Sequence, residues 1–407
     1  MRLNTDKIYN RSLNLGVILL AMSITFSITF MNVAFILFLL AFVIKLFKKD
    51  IHYISTGLEL PVGLFLGLYV ISALISGKGG AGVKQVLDNY WYILHMYVVV
   101  YLFGETHLRK FVKVLGWSAF AIAVFTIFQS LVGLNFTLDF NINSTFKFSP
   151  PELIKFIQLG KYPVYTGTGI MGHIRHAGQL LMLLFFTFAA FKKKWPAAAV
   201  FLALILSFAY SCWIGFLAAV LIYLYFKRKS YIFATAIFVA LLLAVVYFPG
   251  VQEKVKKEIS EGINYTKASM AMVIEKPFFS ADMEEYSEKT RELNSALADT
   301  DSPKSVYMNI LTEGGIFVFI VFLYLIYSFC RHYVKAPPSL KERWRDLRTA
   351  SWLALIAIFI AGFFYRFLIY AENSVLIWTL AGIIIKINKS KWTSRLVSPY
   401  SAPYHQK

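Results

Sequence analysis

Residues 173–176 of this chain place two imidazoles on either side of a guanidinium, in the order His173, Arg175 and His176. A histidine takes up or gives away a proton near neutral pH, whereas an arginine keeps its positive charge. This combination is typical of a site that binds an anion and moves a proton. His173 and His176 are therefore candidate proton acceptors, and Arg175 is a candidate anion ligand. The alternative for the two histidines is an interfacial position without a chemical role.

Three more ionisable residues lie in or beside strongly apolar segments. Arg366 and Glu372 bracket the end of one segment, and Glu313 lies inside another. Charged groups in such segments are costly unless they are paired or face water, and they are therefore typical of functional sites. A structural ion pair of Arg366 with Glu372 or Glu313 is the alternative interpretation.

The elements that would hold these residues are predicted from the composition, which excludes an ordinary soluble protein. Of the 407 residues, 58% are hydrophobic and 15% are charged, against roughly a quarter charged in soluble domains. The apolar runs predict an all-α fold, a polytopic membrane helix bundle of about twelve transmembrane helices. The predicted spans lie near residues 12–28, 30–47, 58–77, 86–103, 111–132, 177–191, 195–210, 212–226, 230–248, 305–329, 349–370 and 373–388.

The net charge of +19 would suggest a nucleic-acid partner in a soluble protein. Here most lysines and arginines, including the triplets at 192–194 and 227–229, fall in segments that are cytoplasmic if both termini are cytoplasmic. The basic composition therefore orients the helices, and no nucleic-acid partner is expected. The distribution of lysine and arginine among the apolar segments predicts a multi-pass protein of the cell inner membrane, with both termini cytoplasmic and its large loops periplasmic.

Two long polar segments lie outside the membrane in this topology. In the external loop 133–176, residues 152–157 predict a short interfacial helix. The segment 249–304 predicts a helical extracytoplasmic cap of three short helices, at Val251 to Ile259, Ala268 to Ile274 and Met283 to Leu297. The predicted domains are an N-terminal bundle of about nine spans, the cap loop, three C-terminal transmembrane helices and a cytoplasmic tail. They cover residues 1–248, 249–304, 305–388 and 389–407.

Three short motifs, in this order along the chain, resemble the O-antigen ligase and O-antigen polymerase superfamily. Gly172-His-Ile-Arg175 is similar to a stretch that opens an earlier span in some members, and the run from Tyr265 to Tyr286 resembles the family's loop signature with its Lys-Pro turn. The run from Lys304 through Glu313-Gly-Gly is similar to the entry into the following span. Together with the span count and the loop positions, the resemblance covers nearly the whole chain.

The resemblance implies an integral glycosyltransferase that needs no metal or other cofactor. It implies transfer of a glycan from undecaprenyl diphosphate to lipid A-core, another glycan or a protein on the periplasmic side, as in lipopolysaccharide biosynthesis, with membrane lipids around the bundle. Arg175, Lys267 and Arg366 would bind the diphosphate, with Glu313 in the same substrate-binding site. Lys304 takes the position of the family's loop histidine and is therefore the third candidate catalytic residue.

The chain departs from the family pattern at several positions. Lys304 is a cation and by default a poor base, no arginine occurs near Ser211, and Val318 replaces a glycine. Three interpretations follow: His173 or His176 is the base, positioning alone activates the acceptor, or the transfer reaction is lost. A hypothesis from another class is a non-catalytic membrane protein, which binds or exports lipid-linked glycans or is a twelve-span transporter.

Overall fold

The structure is a computed structural model that describes residues 2–26, 28–49, 53–133, 155–159, 162–165, 174–190, 194–227, 243, 249–278, 283–293, 303–335, 337 and 340–390. These residues are almost entirely helical, and one two-stranded hairpin accompanies the helices. The predicted all-α character is confirmed for the described residues, apart from this hairpin.

Six described α-helices precede the two strands along the chain. They are α1 (Arg2–Phe26), α2 (Ile28–Phe47), α3 (Glu59–Ile75), α4 (Gly79–Tyr90), α5 (Leu94–Leu102) and α6 (Glu105–Val132). The strands β1 (Lys155–Leu159) and β2 (Tyr162–Tyr165) follow and pair in antiparallel fashion. The remaining helices are α7 (Ile174–Ala190), α8 (Lys194–Leu206), α9 (Tyr210–Lys227), α10 (Pro249–Glu275), α11 (Met283–Leu293), α12 (Val306–Tyr333), α13 (Glu342–Ala361) and α14 (Ala371–Lys389).

Three of the described helical segments are long and apolar enough to cross a membrane, judged by length and composition. They are Phe30–Phe47, Glu105–Val132 and Val306–Tyr333. Four shorter helices are also apolar: Glu59–Ile75, Ala177–Phe188, Lys194–Leu206 and Tyr210–Tyr225. The membrane character predicted from the composition therefore has direct support in these helices.

Two predicted spans are interrupted. The segment 86–103 is divided by a short 3₁₀ turn at Trp91–Ile93, and α5 after it has nine residues, which cover only about 14 Å of axis. The segment 349–370 ends its helix at Ala361 and continues through turns. The predicted span 230–248 lies outside the described residues except for residue 243.

Helix α14 is the centre of the bundle. Its residues from Asn373 to Ile385 are buried, and it packs against α5 and α13. Helix α13 also packs against α7 and α9, and at Gly215 the two backbones approach so closely that a Cβ atom would lie 2.2 Å from the carbonyl oxygen of Ala357. Small residues permit this kind of approach between apolar helices. The contact fixes the start of α9 beside the end of α13, where the site described below is formed.

The predicted interfacial helix at 152–157 is wrong for its described part. Residues 155–159 form β1, with Leu159 opposite Tyr162 and Lys155 opposite Tyr165. A segment of about six residues is too short to nucleate a helix on its own, whereas pairing with β2 satisfies its backbone groups. Residues 152–154 lie outside the described part of the chain.

The cap contains two described helices where three short ones were predicted. The first two predicted helices are one continuous helix, α10, because the polar residues between them are helix-compatible and Gly262 alone does not end a helix. The predicted end at Lys276-Pro277 and the predicted helix from Met283 are confirmed. Tyr265, Ala268, Met272 and Tyr286 form a small core between α10 and α11.

Tyr286 stabilises the contact between the cap helices. Its hydroxyl donates to the carbonyl oxygen of Tyr265 at 3.3 Å, and burial raises its pKa to about 12. The phenol therefore stays protonated and keeps its donor at neutral pH. This core therefore holds α10 and α11 in a fixed arrangement.

Candidate functional site

A cleft of about 580 Å³ lies between the cap and the helical bundle, and we call it the cap cleft. Lys267 reaches it from α10, and Lys304 reaches it from the residue pair that precedes α12. Tyr210 and Ser211, at the start of α9, line the opposite side. Two of the predicted site residues, which are 37 positions apart in the sequence, thus share one cleft.

Lys304 is held as a cation in the cap cleft. Its Nζ lies 2.8 Å from Oε2 of Glu261 and 4.4 Å from the ring centroid of Tyr265. The side chains of Lys304 and Glu261 are only 19% and 22% exposed, so solvent screens the pair less than it would screen a surface ion pair. A carboxylate and an aromatic face are both typical partners of an ammonium group. The geometry therefore argues against the use of Lys304 as a proton acceptor, and Glu261 balances part of its charge.

The start of α12 is fixed by hydrogen bonds to the end of α13. The backbone N–H of Val306 and the Oγ of Ser305 both donate to the carbonyl oxygen of Gly362, at 2.9 and 3.1 Å. The Tyr307 hydroxyl donates to the carbonyl oxygen of Phe359 at 2.8 Å. These contacts use donors and acceptors that helix ends leave unpaired. They place Lys304 at a defined position at the mouth of the cap cleft.

Glu313 is the centre of a second polar cluster, which we call the Glu313 cluster. The carboxylate is 7% exposed, and its Oε2 accepts from the Tyr69 hydroxyl and from Nδ2 of Asn309, both at 3.0 Å. The Tyr90 hydroxyl donates to the Tyr69 hydroxyl at 3.3 Å. Helices α3, α4 and α12 thus supply one hydrogen-bonded chain, as a buried carboxylate requires.

Two cations act electrostatically on Glu313. Lys78 lines the same small pocket as Glu313, a pocket of about 10 Å³ that has room for about one water molecule. Lys78 and Arg366 both act electrostatically on Glu313, and Arg366 acts on the cap residue Tyr286 as well. Among the described residues, no direct salt bridge joins Arg366 to Glu313. The ion pair of Arg366 with Glu313 or Glu372 stays a prediction, because the side chain of Glu372 lies outside the described residues.

A break in α12 connects the Glu313 cluster to the cap. Gly315 has φ 81° and ψ 176°, a conformation that is essentially restricted to glycine. The break frees the N–H of Ile316, which donates to the carbonyl oxygen of Pro277 at 3.0 Å. The rings of Phe278 and Phe317 stack with centroids 5.6 Å apart. The predicted Lys-Pro turn is therefore the point at which the cap is docked on the bundle.

The histidine and arginine cluster is only partly described. His173 lies outside the described residues, and the side chains of Arg175 and His176 lie outside the description although their backbone opens α7. One turn further, Oε1 of Gln179 accepts from Nδ2 of Asn373 at 2.5 Å, at the start of α14. The first turns of α7 and α14 are therefore adjacent. The side chain of Glu372, the other proposed partner of Arg366, also lies outside the description.

An apolar cavity of about 230 Å³ lies between α12, α13 and α14. Its walls include Phe322, Leu325 and Trp352, and Cys330 lines its far end. The near end is formed by Tyr307, whose ring centroid lies 4.5 Å from that of Phe363, a residue of the cap cleft. The charged cleft and the apolar cavity are therefore neighbours that share an aromatic boundary.

Sequence analysis missed Glu261, Tyr69, Tyr90 and Lys78. Asn309 could have been identified from the sequence, because a polar residue four positions before Glu313 on a helix lies on the same face. No group of three or more potential metal ligands occurs among the described residues, and metal independence stays a prediction. No protein-family model matches the chain, and a comparison with curated proteins finds no match.

Proposed function

We propose that the protein is an O-antigen ligase-like glycosyltransferase, which moves a glycan from undecaprenyl diphosphate to a glycolipid, glycan or protein acceptor. The observation that carries the proposal is the pair Lys267 and Lys304 in a cleft that adjoins an apolar cavity. A polyprenyl diphosphate has two corresponding parts, an anionic head and a hydrocarbon tail. Cations suit the head, and the Phe- and Leu-lined cavity suits the isoprene units of the tail that are nearest to the head.

The charge of the cap cleft and of the neighbouring Glu313 cluster supports an anionic ligand. The cap cleft and the Glu313 cluster together contain four cations, Lys78, Lys267, Lys304 and Arg366, and two carboxylates, Glu261 and Glu313. The positive excess suits a diphosphate, whose leaving oxygen gains charge as its bond to the sugar breaks. We assign Glu313 a positioning role here, since Lys78 and Arg366 both act on it electrostatically.

The proposed topology is a bundle of about twelve spans in the cell inner membrane, with both termini cytoplasmic and the cap periplasmic. The three long apolar helices and the four shorter ones support a multi-pass bundle. The distribution of lysine and arginine supports the orientation. A periplasmic cap cleft would meet a lipid-linked glycan that has already been moved to the outer leaflet.

The reaction that the site suits is a direct displacement. The acceptor hydroxyl oxygen forms a bond to the anomeric carbon while the bond from that carbon to the diphosphate oxygen breaks. The electron pair leaves with the diphosphate, whose charge Lys304 and Arg366 stabilise, and the hydroxyl proton passes to a base. An ammonium has no lone pair for that proton, so His173 and His176 remain the candidate bases. Direct displacement inverts the anomeric configuration.

A non-catalytic role in binding or exporting lipid-linked glycans is the second candidate. The ion pair of Lys304 with Glu261 favours it, because the residue at the position of the family's histidine is not free to accept a proton. Such a protein would bind the donor in the cap cleft with the same cations. The two candidates differ only in whether a glycosidic bond is formed.

The deciding experiment is a transfer assay in proteoliposomes with undecaprenyl-diphosphate glycan and a panel of glycolipid, glycan and protein acceptors. We expect transfer with inversion by the wild type, at least tenfold slower transfer by Lys304→Gln, and unchanged transfer by Lys256→Gln, an exposed cap lysine outside the cleft. Donor binding without transfer to any acceptor would favour the non-catalytic candidate. Absence of both binding and transfer would refute both candidates.

A further inference from the structure

A second candidate lipid site lies on the N-terminal helix, away from the cap cleft. An open, shallow depression, which we call the α1 groove, follows one face of α1 and is lined by Lys7, Asn10, Arg11, Asn14, Leu15 and Ile18. The four polar residues come first and the two apolar residues follow. Lys7 and Ile18 are separated by about 16 Å along the helix axis. The groove therefore changes from basic to apolar along its length.

The basic end of the groove carries positive charge that no carboxylate among the described residues neutralises. Lys7 and Arg11 are exposed and lie one helical turn apart. Lys110 reaches the groove from α6, and its Nζ donates to Oδ1 of Asn14 at 3.0 Å. The neighbouring acidic residue, Asp6, is bound to Lys48. Within the described part of the chain, no ion pair joins Lys7, Arg11 or Lys110 to a carboxylate.

Other lysines at this end of the bundle have structural roles. Lys45 donates to the carbonyl oxygen of Tyr101 at 3.0 Å, and Lys386 donates to that of Val100 at 2.7 Å. Both carbonyls belong to the last turn of α5, where helix ends leave acceptors unpaired. The side chains of Lys45 and Lys386 therefore stabilise the end of α5, whereas Lys7 and Arg11 of the α1 groove are exposed.

We propose that the α1 groove binds an anionic phospholipid of the membrane leaflet that faces the N-terminal end of α1. The lipid phosphate would lie against Lys7, Arg11 and Lys110, and an acyl chain would follow Leu15 and Ile18. Leu15 is 49% exposed, as expected of a side chain that faces a hydrocarbon chain. A free phosphate would leave the apolar half of the groove uncovered, and this favours a lipid. The site is independent of glycan transfer and serves an enzyme and a non-catalytic protein alike.

The test is lipid titration of the purified full-length protein in detergent, followed by native mass spectrometry. We expect phosphatidylglycerol to bind at least tenfold more tightly than zwitterionic phosphatidylcholine. The double variant Lys7→Gln/Arg11→Gln should bind phosphatidylglycerol about 30-fold more weakly, since each cation near a lipid surface is worth roughly fivefold in affinity. The matched control is Lys335→Gln/Lys341→Gln, which removes two exposed cations from the connection between α12 and α13.

Further arms separate a lipid from a free anion. Leu15→Asn should also weaken phosphatidylglycerol binding, and millimolar inorganic phosphate should not displace the lipid. Thermal unfolding of each variant in detergent checks that the fold is intact. Equal binding of the two lipids, or an equal loss in the matched control, would overturn the proposal. Complete displacement by inorganic phosphate would identify a simple anion site and would overturn it as well.

Discussion

The role of Lys304 can be tested by two substitutions that differ in charge. Lys304→Gln removes the ammonium that lies 2.8 Å from Glu261, whereas Lys304→Arg keeps a positive charge. A hydrogen bond to a charged group is worth about 1.5–3 kcal/mol. Because Glu261 already balances part of the charge, we expect Lys304→Gln to weaken donor binding by about 2 kcal/mol. This corresponds to about 30-fold in affinity. Lys304→Arg should stay within about fivefold of the wild type, since a guanidinium keeps the charge but changes the geometry.

The assay is binding of undecaprenyl-diphosphate glycan to the detergent-solubilised protein, measured by calorimetry and repeated as a transfer assay. Lys256→Gln, an exposed lysine elsewhere on α10, is the matched control and should bind as the wild type does. A normal dissociation constant for Lys304→Gln would refute the cation role. If Lys304→Arg bound the donor normally but transferred nothing, Lys304 would be the proton acceptor and our interpretation of its geometry would be wrong.

Three further predictions follow from the helix break, the buried carboxylate and the apolar cavity. Gly315→Ala should destabilise the protein by about 1–3 kcal/mol, because an alanine is strained in that backbone conformation, and thermal unfolding measures the loss. Tyr69→Phe should cost about 1.5–3 kcal/mol of unfolding free energy, because Glu313 loses a donor where it is 7% exposed. Cys330 should react with an apolar maleimide, and undecaprenyl diphosphate should slow this reaction if its tail occupies the cavity.

Each of these predictions has a control and a contradicting result. Gly262→Ala, where an added Cβ meets no atom within 4 Å, should be neutral or slightly stabilising, and an equal loss there would remove the case for strain at Gly315. An unchanged melting temperature for Tyr69→Phe would mean that its bond to Glu313 is not important for stability. Cys330→Ser should abolish labelling, because the other cysteine, Cys212, is fully buried. Labelling of Cys330 at the same rate with and without the lipid would exclude the tail from the cavity.

The local sequence predicted the features that depend on short-range patterns. Long apolar runs produced helices, Pro277 ended α10 as expected, and Glu313 stood out because a carboxylate in an apolar helix is costly. The errors came from short or ambiguous segments. The six residues around Lys155 fitted a helix as well as a strand until β2 supplied a partner.

The composition of the site could not be read from the sequence, because it depends on long-range packing. Glu261 meets Lys304 across 43 residues, and Tyr69 meets Glu313 across 244 residues. No periodicity relates such positions, since their approach is decided by how separate helices pack. The resemblance to a ligase motif suggested a catalytic residue at Lys304, whereas its partners Glu261 and Tyr265 indicate a cation.

The most direct test of the account is to find where the donor lies. A polyprenyl diphosphate with a photoreactive group in its first isoprene unit would be cross-linked to the protein in proteoliposomes, and the labelled peptides would be identified by mass spectrometry. We predict labelling around Tyr307, Met308 and Phe363, where the cap cleft adjoins the apolar cavity, and its loss on competition with unlabelled undecaprenyl diphosphate. Labelling confined to other surfaces, or labelling that the competitor does not reduce, would contradict the account.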